Sequence, residues 1–405
     1  MVQPSHPYSH VLALPHEQEP TFDTTAILPY HPQPPPDPLH FTDVYMDDFM
    51  IVAQPPHHIP MLDNLLHHLH SVFTSDTSSL HRSVIRESKI RKGDATFQTT
   101  KTLLGWEVDT AKMELCLPAH RQQCLYDILD HTLAKPCSTR KQWQQLLGEL
   151  RSMTLAIHST RYLFSILQHA LTQRARRFRI NKLTRQALQD WKDIVNQLHT
   201  CPVPITMVVP HAPHYWAAMD ASKEGIGGFW LPSNITPEAQ PCAWRHKFHP
   251  NIPANLISFT NPVGTLCNSD LELAAVVVGN ATQQHYIPKP TYTCTYIATD
   301  NSATQAWIHK GSTTTAGPPA FLLRQLALDC CYNSCTVIPI FTPGHTNTIA
   351  DFLSRSFALS DDDLVQQLQQ RWPIQPPWRL VTPPGNITSS MNWALSKQLP
   401  PKPSQ

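Results

Sequence analysis

From Phe41 to Ala53 two apolar runs flank the acidic pair Asp47 and Asp48, which predicts a strand, a tight turn and a returning strand. Leu62, Leu65, Leu66, Leu69, Val72 and Phe73 then recur at helical spacing, with His67, His68 and His70 mostly on the opposite, solvated face. Residues Phe97 to Leu117 alternate as two short strands around a turn, and Pro118 opens a stretch that reads as all-helical to about residue 200. Within it, Trp143, Leu146, Leu147 and Leu150 form one apolar stripe, and Leu163, Ile166, Leu167, Ala170 and Leu171 form another.

At Tyr215 the period changes. A strand carrying Asp220, a Gly-rich turn and a second strand come first, followed by a helix from Asn268 to Asn280 that carries Glu272. The run from Tyr292 to Thr299 alternates as a buried strand whose end presents Asp300, and Ser302 to Lys310 continues as a helix. A helix from Pro319 to Asp329, a strand from Thr336 to Phe341, and a short helix beginning near Asn347 and holding Asp351 complete the alternation. Residues 1–40 carry ten prolines without a sustained period and are expected to be largely disordered; beyond about 358 a short helix, Asp362 to Gln370, gives way to Pro-rich sequence expected to be a linker.

Composition sharpens this outline at a few points. The 39 prolines and 12 glycines in 405 residues predict ordered parts separated by irregular segments. The net charge of +1 names no partner, but residues 121–200 hold 13 Lys and Arg against 5 Asp and Glu, with Arg174, Arg176, Arg177 and Arg179 nearly consecutive. Such a basic groove suits a phosphate backbone. Ten cysteines without a C-x-x-C pair read as reduced core thiols of an intracellular protein; Cys330, Cys331 and Cys335 with His345 make a poor zinc set. The start of the chain has no signal-peptide pattern, and no apolar run is long enough to span a bilayer, so a soluble protein of the cytoplasm or nucleus is expected.

Two acidic constellations carry the chemistry. The first is Tyr45-Met46-Asp47-Asp48 between apolar strands; with the helix after it, Leu104-Gly105-Trp106 and Leu146-Leu147-Gly148-Glu149-Leu150, it resembles the reverse transcriptase palm. The overall order is similar to the reverse transcriptase and ribonuclease H part of a retrotransposon polyprotein. From Asp300-Asn301-Ser302 to Asn347 and Ala350-Asp351-Phe352-Leu353-Ser354-Arg355 it is most similar to DIRS-like, tyrosine-recombinase elements. The resemblance covers about residues 40–400. It implies that Asp47 and Asp48 are metal ligands and that Tyr45 and Met46 lie near a primer end. The family's third palm carboxylate sits on an earlier strand, and neither Asp23 nor Asp37 has a strand context, so the chain is expected to be N-terminally truncated and inactive as a DNA polymerase.

The second constellation, Asp220, Glu272, Asp300 and Asp351, has spacings of 52, 28 and 51 and resembles the four carboxylates of ribonuclease H. Four gathered acids repel one another, so the set makes sense chiefly with divalent cations. The resemblance implies two Mg²⁺ or Mn²⁺ ions, Asp220 shared between them, Glu272 and Asp300 on one and Asp351 on the other. It implies that His345, six positions before Asp351, assists proton transfer or product release. Ser222 and Asn301 are candidate contacts to hydroxyls or phosphates, while Trp216, Trp230, Trp244 and Trp307 are expected in the core.

The expectation is an α+β multi-domain chain. Its parts are a Pro-rich segment (1–40), a partial palm (41–117), a basic helical thumb or connection (118–205), a ribonuclease H-like α/β domain with a mixed sheet (206–358) and a Pro-rich tail (359–405). Its partners would be an RNA–DNA hybrid and a template–primer duplex, not a membrane, with the oligomeric state undetermined. The alternatives are a catalytically dead nucleic-acid-binding remnant and a domesticated interaction scaffold.

Overall fold

The computed structural model describes residues 40–45, 48–73, 92–93, 95–172, 176–209, 212–234, 240–288, 292–314 and 317–396. The chain divides into two compact units, and the described residues fall between them at 99 and 100.

In the first unit, β1 (His40–Tyr45) and β2 (Asp48–Ala53) form an antiparallel hairpin in register from His40 opposite Ala53 to Tyr45 opposite Asp48. The two expected strands are therefore present and paired. Met46 and Asp47 lie outside the described residues, as do the side chains of Tyr45 and Asp48. α1 (His58–Phe73) follows, with Leu62, Leu65, Leu66 and Leu69 half-buried and His67 and His68 exposed, as the periodicity predicts, whereas Val72 of the same stripe is exposed in the last turn. Phe41, Val44, Phe49 and Val52 remain exposed on the hairpin.

The second unit starts with a meander, β3 (Thr100–Leu103), β4 (Trp106–Asp109) and β5 (Glu114–Cys116), joined at its edge by β8 (Val203–Pro204). The β3–β4 turn places Leu104 and Gly105 at φ of 49° and 81°, a left-handed pair that glycine eases. Helices α2 (Ala119–Leu133), α3 (Arg140–Met153), α4 (Phe164–His169) and α5 (Lys182–Thr200) follow. The stripe at Trp143, Leu146, Leu147 and Leu150 is buried on α3, which a capping box between Thr139 and Gln142 starts.

This stretch is not all-helical. A two-stranded ribbon, β6 (Cys137–Thr139) with β7 (Arg177–Arg179), interrupts it because Arg-Phe-Arg has the period of a strand. Phe178 is buried with its ring edge-on to Trp143, centroids 5.2 Å apart, while Arg177 and Arg179 face water. The second stripe is likewise broken, into the 3₁₀ turns His158–Leu163 and Ala170–Thr172 on either side of α4.

The centre of the unit is a six-stranded mixed sheet in the order β13-β12-β9-β10-β11-β14. Its strands are β9 (Tyr215–Ala221), β10 (Gly225–Pro232), β11 (Cys242–Lys247), β12 (Thr293–Thr299), β13 (Cys335–Phe341) and β14 (Arg379–Val381). β9, β10 and β11 run antiparallel in sequence, whereas β12 and β13 extend the sheet parallel to β9. Besides the single helical turn Asn251–Ala254, the helices of this part are α6 (Asn268–Tyr286), α7 (Ser302–Lys310), α8 (Pro318–Tyr332), α9 (Thr348–Arg355), α10 (Asp361–Arg371) and α11 (Gly385–Leu395).

Alternation on the strands sorts the two faces. Ala217, Met219, Trp230 and Trp244 pack with α6 and α8, whereas Ala218, Phe229, Leu231 and Ala243 pack with α9 and α10. The first of these cores also takes in Leu129, Trp143, Leu163 and Trp191, so the helical stretch and the sheet share one hydrophobic interior. Trp230 and Trp244 are fully buried, as expected for core residues; Trp216 and Trp307 are half-buried.

The Pro-rich end is not a linker up to residue 396. β14 pairs parallel with β11, and α11 packs on α6 and α8 with the Trp393 ring 5.4 Å from Phe321. Trp378, Val381, Met391, Ala394 and Leu395 are buried there. The prolines punctuate these elements, Pro384 immediately preceding α11, and do not exclude them.

Candidate metal centre

Asp220 lies near the end of β9, Glu272 in the second turn of α6, and Asp300 one residue past β12. β9 and β12 are hydrogen-bonded neighbours, and α6 packs on β9, so residues far apart in the chain meet at one place. One carboxylate oxygen from each lies within 4.8 Å of the other two. Among the described residues this is the one group of three or more His, Cys, Asp or Glu close enough to hold a metal ion.

No basic group pairs directly with these three carboxylates among the described residues, and only the charge of Arg355 reaches Asp220 and Asp300. Glu272 is 3% exposed; Asn268 Nδ2 donates to its Oε1 at 3.4 Å, and its Oε2 is buried with no hydrogen-bond partner. Burial, with the charges of Asp220 and Asp300 beside it, pushes its carboxyl up to about 9. Asp220 is pushed up to about 6, first by burial and then by Asp300 and Asp351, although the Ser354 hydroxyl donates to its Oδ2. Asp300 is raised by burial and by Asp351. Three oxygen-only ligands, one with an orphaned buried oxygen, are the donor set that a hard divalent cation requires.

Asp351 stands slightly apart. It occupies the first turn of α9, and Arg355 Nε donates to its Oδ1 at 2.6 Å, an i,i+4 pair on an exposed helix face. Its charge still reaches Asp220 and Asp300. His345 is exposed in the turn between β13 and α9, distant from Cys330, Cys331 and Cys335 in role and setting: those thiols are buried, Cys331 against Ser159 at 3.3 Å.

The remaining candidates are placed as follows. Ser222 is 6% exposed, and its hydroxyl is spent within the fold, donating to Ser354 O at 2.6 Å and accepting from the Glu224 and Gly225 N–H groups. It closes the β9–β10 turn and is unavailable to a nucleic acid, which corrects the expectation for this residue. Asn301 Oδ1 accepts from Thr304 N at 2.9 Å and caps α7. Arg176, Arg177 and Arg179 are exposed on or beside the β6–β7 ribbon; Arg174 lies outside the described residues.

Several residues of the site were not read from the sequence. Asn347 Nδ2 donates to Met219 O at 3.0 Å and pins the start of α9 beside Asp220. Gly344 lies against Asp300, where a Cβ would come within 2.8 Å of Oδ2. Gly227 admits α9 onto the sheet; a Cβ there would meet the Leu353 and Ser354 backbone at 2.6–2.7 Å. Ser354 alone had a usable signal, since it sits one helical turn from Asp351.

No family model matches the chain, and no curated protein matches it. Among solved structures it is similar to the foamy viral protease-reverse transcriptase dRH in complex with double-stranded DNA, at 12% identity and a TM-score of 0.24, over 60% of this chain and 38% of that one. The foamy viral protease-reverse transcriptase in complex with an RNA/DNA hybrid matches at 11% identity and a TM-score of 0.25, over 78% of this chain and 59% of that one. The same protein in complex with double-stranded DNA matches at 10% identity and a TM-score of 0.25, over 74% and 62%. The chain thus spans less than two thirds of each of these proteins. Likeness this distant leaves function to be read from the residues themselves. Among the described residues no helix is long and apolar enough to cross a membrane.

Proposed function

We propose that the centre formed by Asp220, Glu272 and Asp300, with Asp351 beside it, hydrolyses the RNA strand of an RNA–DNA hybrid. The observation that carries this reading is the convergence of three mutually repelling carboxylates, two buried and one half-buried, one of them with an unpartnered oxygen, at the end of a mixed sheet. Asp220, Glu272 and Asp300 would hold Mg²⁺ or Mn²⁺, and Asp351 would join them on release from Arg355. A bound divalent cation supplies Lewis acidity, generating a nucleophilic water and stabilising the leaving oxygen. The chain's own residues position this chemistry: Ser354 and Asn347 fix Asp220 and α9, and His345 stands at the exposed rim as the candidate proton carrier. Arg176, Arg177 and Arg179 would grip the phosphate backbone without reading sequence. The wider reading is a reverse transcriptase and ribonuclease H chain of a DIRS-like retrotransposon, and it rests on the sequence resemblance; the Tyr45–Asp48 turn contributes no step to the hydrolysis.

The test is Mg²⁺-dependent cleavage of a labelled hybrid by the full chain, because the helical stretch and the sheet share one core. Asp300→Asn should lower the rate more than about 100-fold, beyond what loss of an outer-shell partner costs. A folded chain that binds hybrid but does not cleave it would support the second reading, a binding protein, which the exposed Phe41, Val44, Phe49 and Val52 of the hairpin favour as a contact surface.

A further inference from the structure

Beside the carboxylates runs an open groove of about 510 Å³, lined among others by Gly344, His345, Asp351, Arg355, Arg371 and Trp372. Two of its residues join it to the metal centre. Gly344 sits so close to Asp300 that a Cβ on it would come within 2.8 Å of Oδ2, and the charge of Asp351 is felt by both Asp220 and Asp300. Its far wall is built by the last turn of α10. There the Arg371 guanidinium lies 4.6 Å from the centroid of the Phe352 ring, and the Trp372 ring lies 5.7 Å from Phe352.

Arg355 is neutralised by Asp351, but Arg371 is not neutralised by anything comparable. Its one hydrogen bond goes to the neutral Gln367 Oε1 at 3.1 Å, and among the described residues no carboxylate lies within ion-pairing distance of it. The acids of its own helix, Asp361, Asp362 and Asp363, are all in the first turn, roughly 12–15 Å away at 1.5 Å per residue. An exposed, oriented and uncompensated guanidinium at the end of a groove leading from a phosphodiester-cleaving centre has one natural ligand, a backbone phosphate.

We propose that this groove is a nucleic-acid subsite, in which the strand leaving the carboxylate centre passes His345 and rests a backbone phosphate on Arg371. The assignment deepens the ribonuclease reading and rests on it for the identity of the strand. α10 lies beyond the four carboxylates in sequence, so the subsite adds a grip that the metal ligands themselves do not provide.

The experiment measures binding of a fluorescent RNA–DNA hybrid to the full chain in EDTA, which prevents cleavage, from about 50 to about 200 mM salt. Arg371→Gln should weaken binding about 5-fold at the low end and reduce the slope of log K against log salt by about 1. Arg371→Lys should keep the slope. A helix-capping role alone would lower the thermal midpoint and leave the slope unchanged, so unchanged binding and slope in a folded Arg371→Gln chain overturn the proposal. Loss of the phosphate contact with no cleavage by the wild-type chain in Mg²⁺ would sustain the subsite and reject the ribonuclease reading. Cleavage by wild type with binding indifferent to Arg371 would do the reverse.

Discussion

Asp190 and Glu272 are equally inaccessible, each 3% exposed, yet the chain treats them in opposite ways. Asp190, on α5, receives Arg324 Nε and Nη2 from α8 at 2.6 and 2.7 Å, a fork that satisfies both carboxylate oxygens and joins the helical stretch to the sheet's helices. Glu272 receives one long bond from Asn268 and faces two further acids. The fold forks a guanidinium onto one buried acid, whereas the three carboxylates of the cluster have no cation in direct contact and feel only the more distant charge of Arg355. That contrast is expected if the cluster is completed by a metal ion.

The comparison breaks first at Asp190. Asp190→Ala leaves the half-buried Arg324 unpaired and should destabilise the chain by about 3 kcal/mol in chemical denaturation. A loss under about 1 kcal/mol would mean that the pair is no better compensated than the carboxylate cluster.

Glu272→Gln should act with the opposite sign. The folded-state value near 9 exceeds the ordinary 4.5, so this group binds its proton more tightly when folded. Without metal, the contribution of this group to stability should then be fully present below about pH 4.5 and be lost as pH rises toward 9. At pH 8 in EDTA the variant should be more stable than wild type by on the order of 3 kcal/mol. Mg²⁺ should raise the thermal midpoint of the wild type and leave that of the variant nearly unmoved. A variant that is less stable than wild type at pH 8 would make Glu272 a structural acid.

The smallest effect is expected at Arg355, whose pair with Asp351 is compensated but exposed. Arg355→Gln should change stability by no more than about 0.5 kcal/mol. It should also raise the Asp220 carboxyl further, since Arg355 holds it down, and lower the Mg²⁺ concentration at half-saturation by freeing Asp351. A large fall in thermal midpoint would move this pair into the class of Asp190.

Much of this was legible in the chain. The alternation around Asp220, the end of the strand before Asp300 and the helix through Glu272 follow from period alone, because a buried face repeats wherever the element runs. What period cannot tell is the partner of a buried face, so the fork between Asp190 and Arg324 and the shared core were invisible. Ser222 was misplaced because a hydroxyl after a strand serves a turn as readily as a ligand. The proline-rich end concealed β14 and α11, since short elements with a proline at each boundary leave too few residues for a period to show. Arg371 was overlooked for a related reason, standing alone on a helix whose other charges are acidic.

β14 sits on the outer edge of β11, and about 130 residues separate the two strands along the chain. At roughly 5–20 residues per second a ribosome needs about 7–26 s to travel between them. Throughout that interval the edge of β11 is open to other nascent chains. Lys247, the exposed residue at the end of that strand, is placed to keep such an edge soluble, so replacing it with an apolar residue should reduce the yield of newly made protein and leave the finished fold intact.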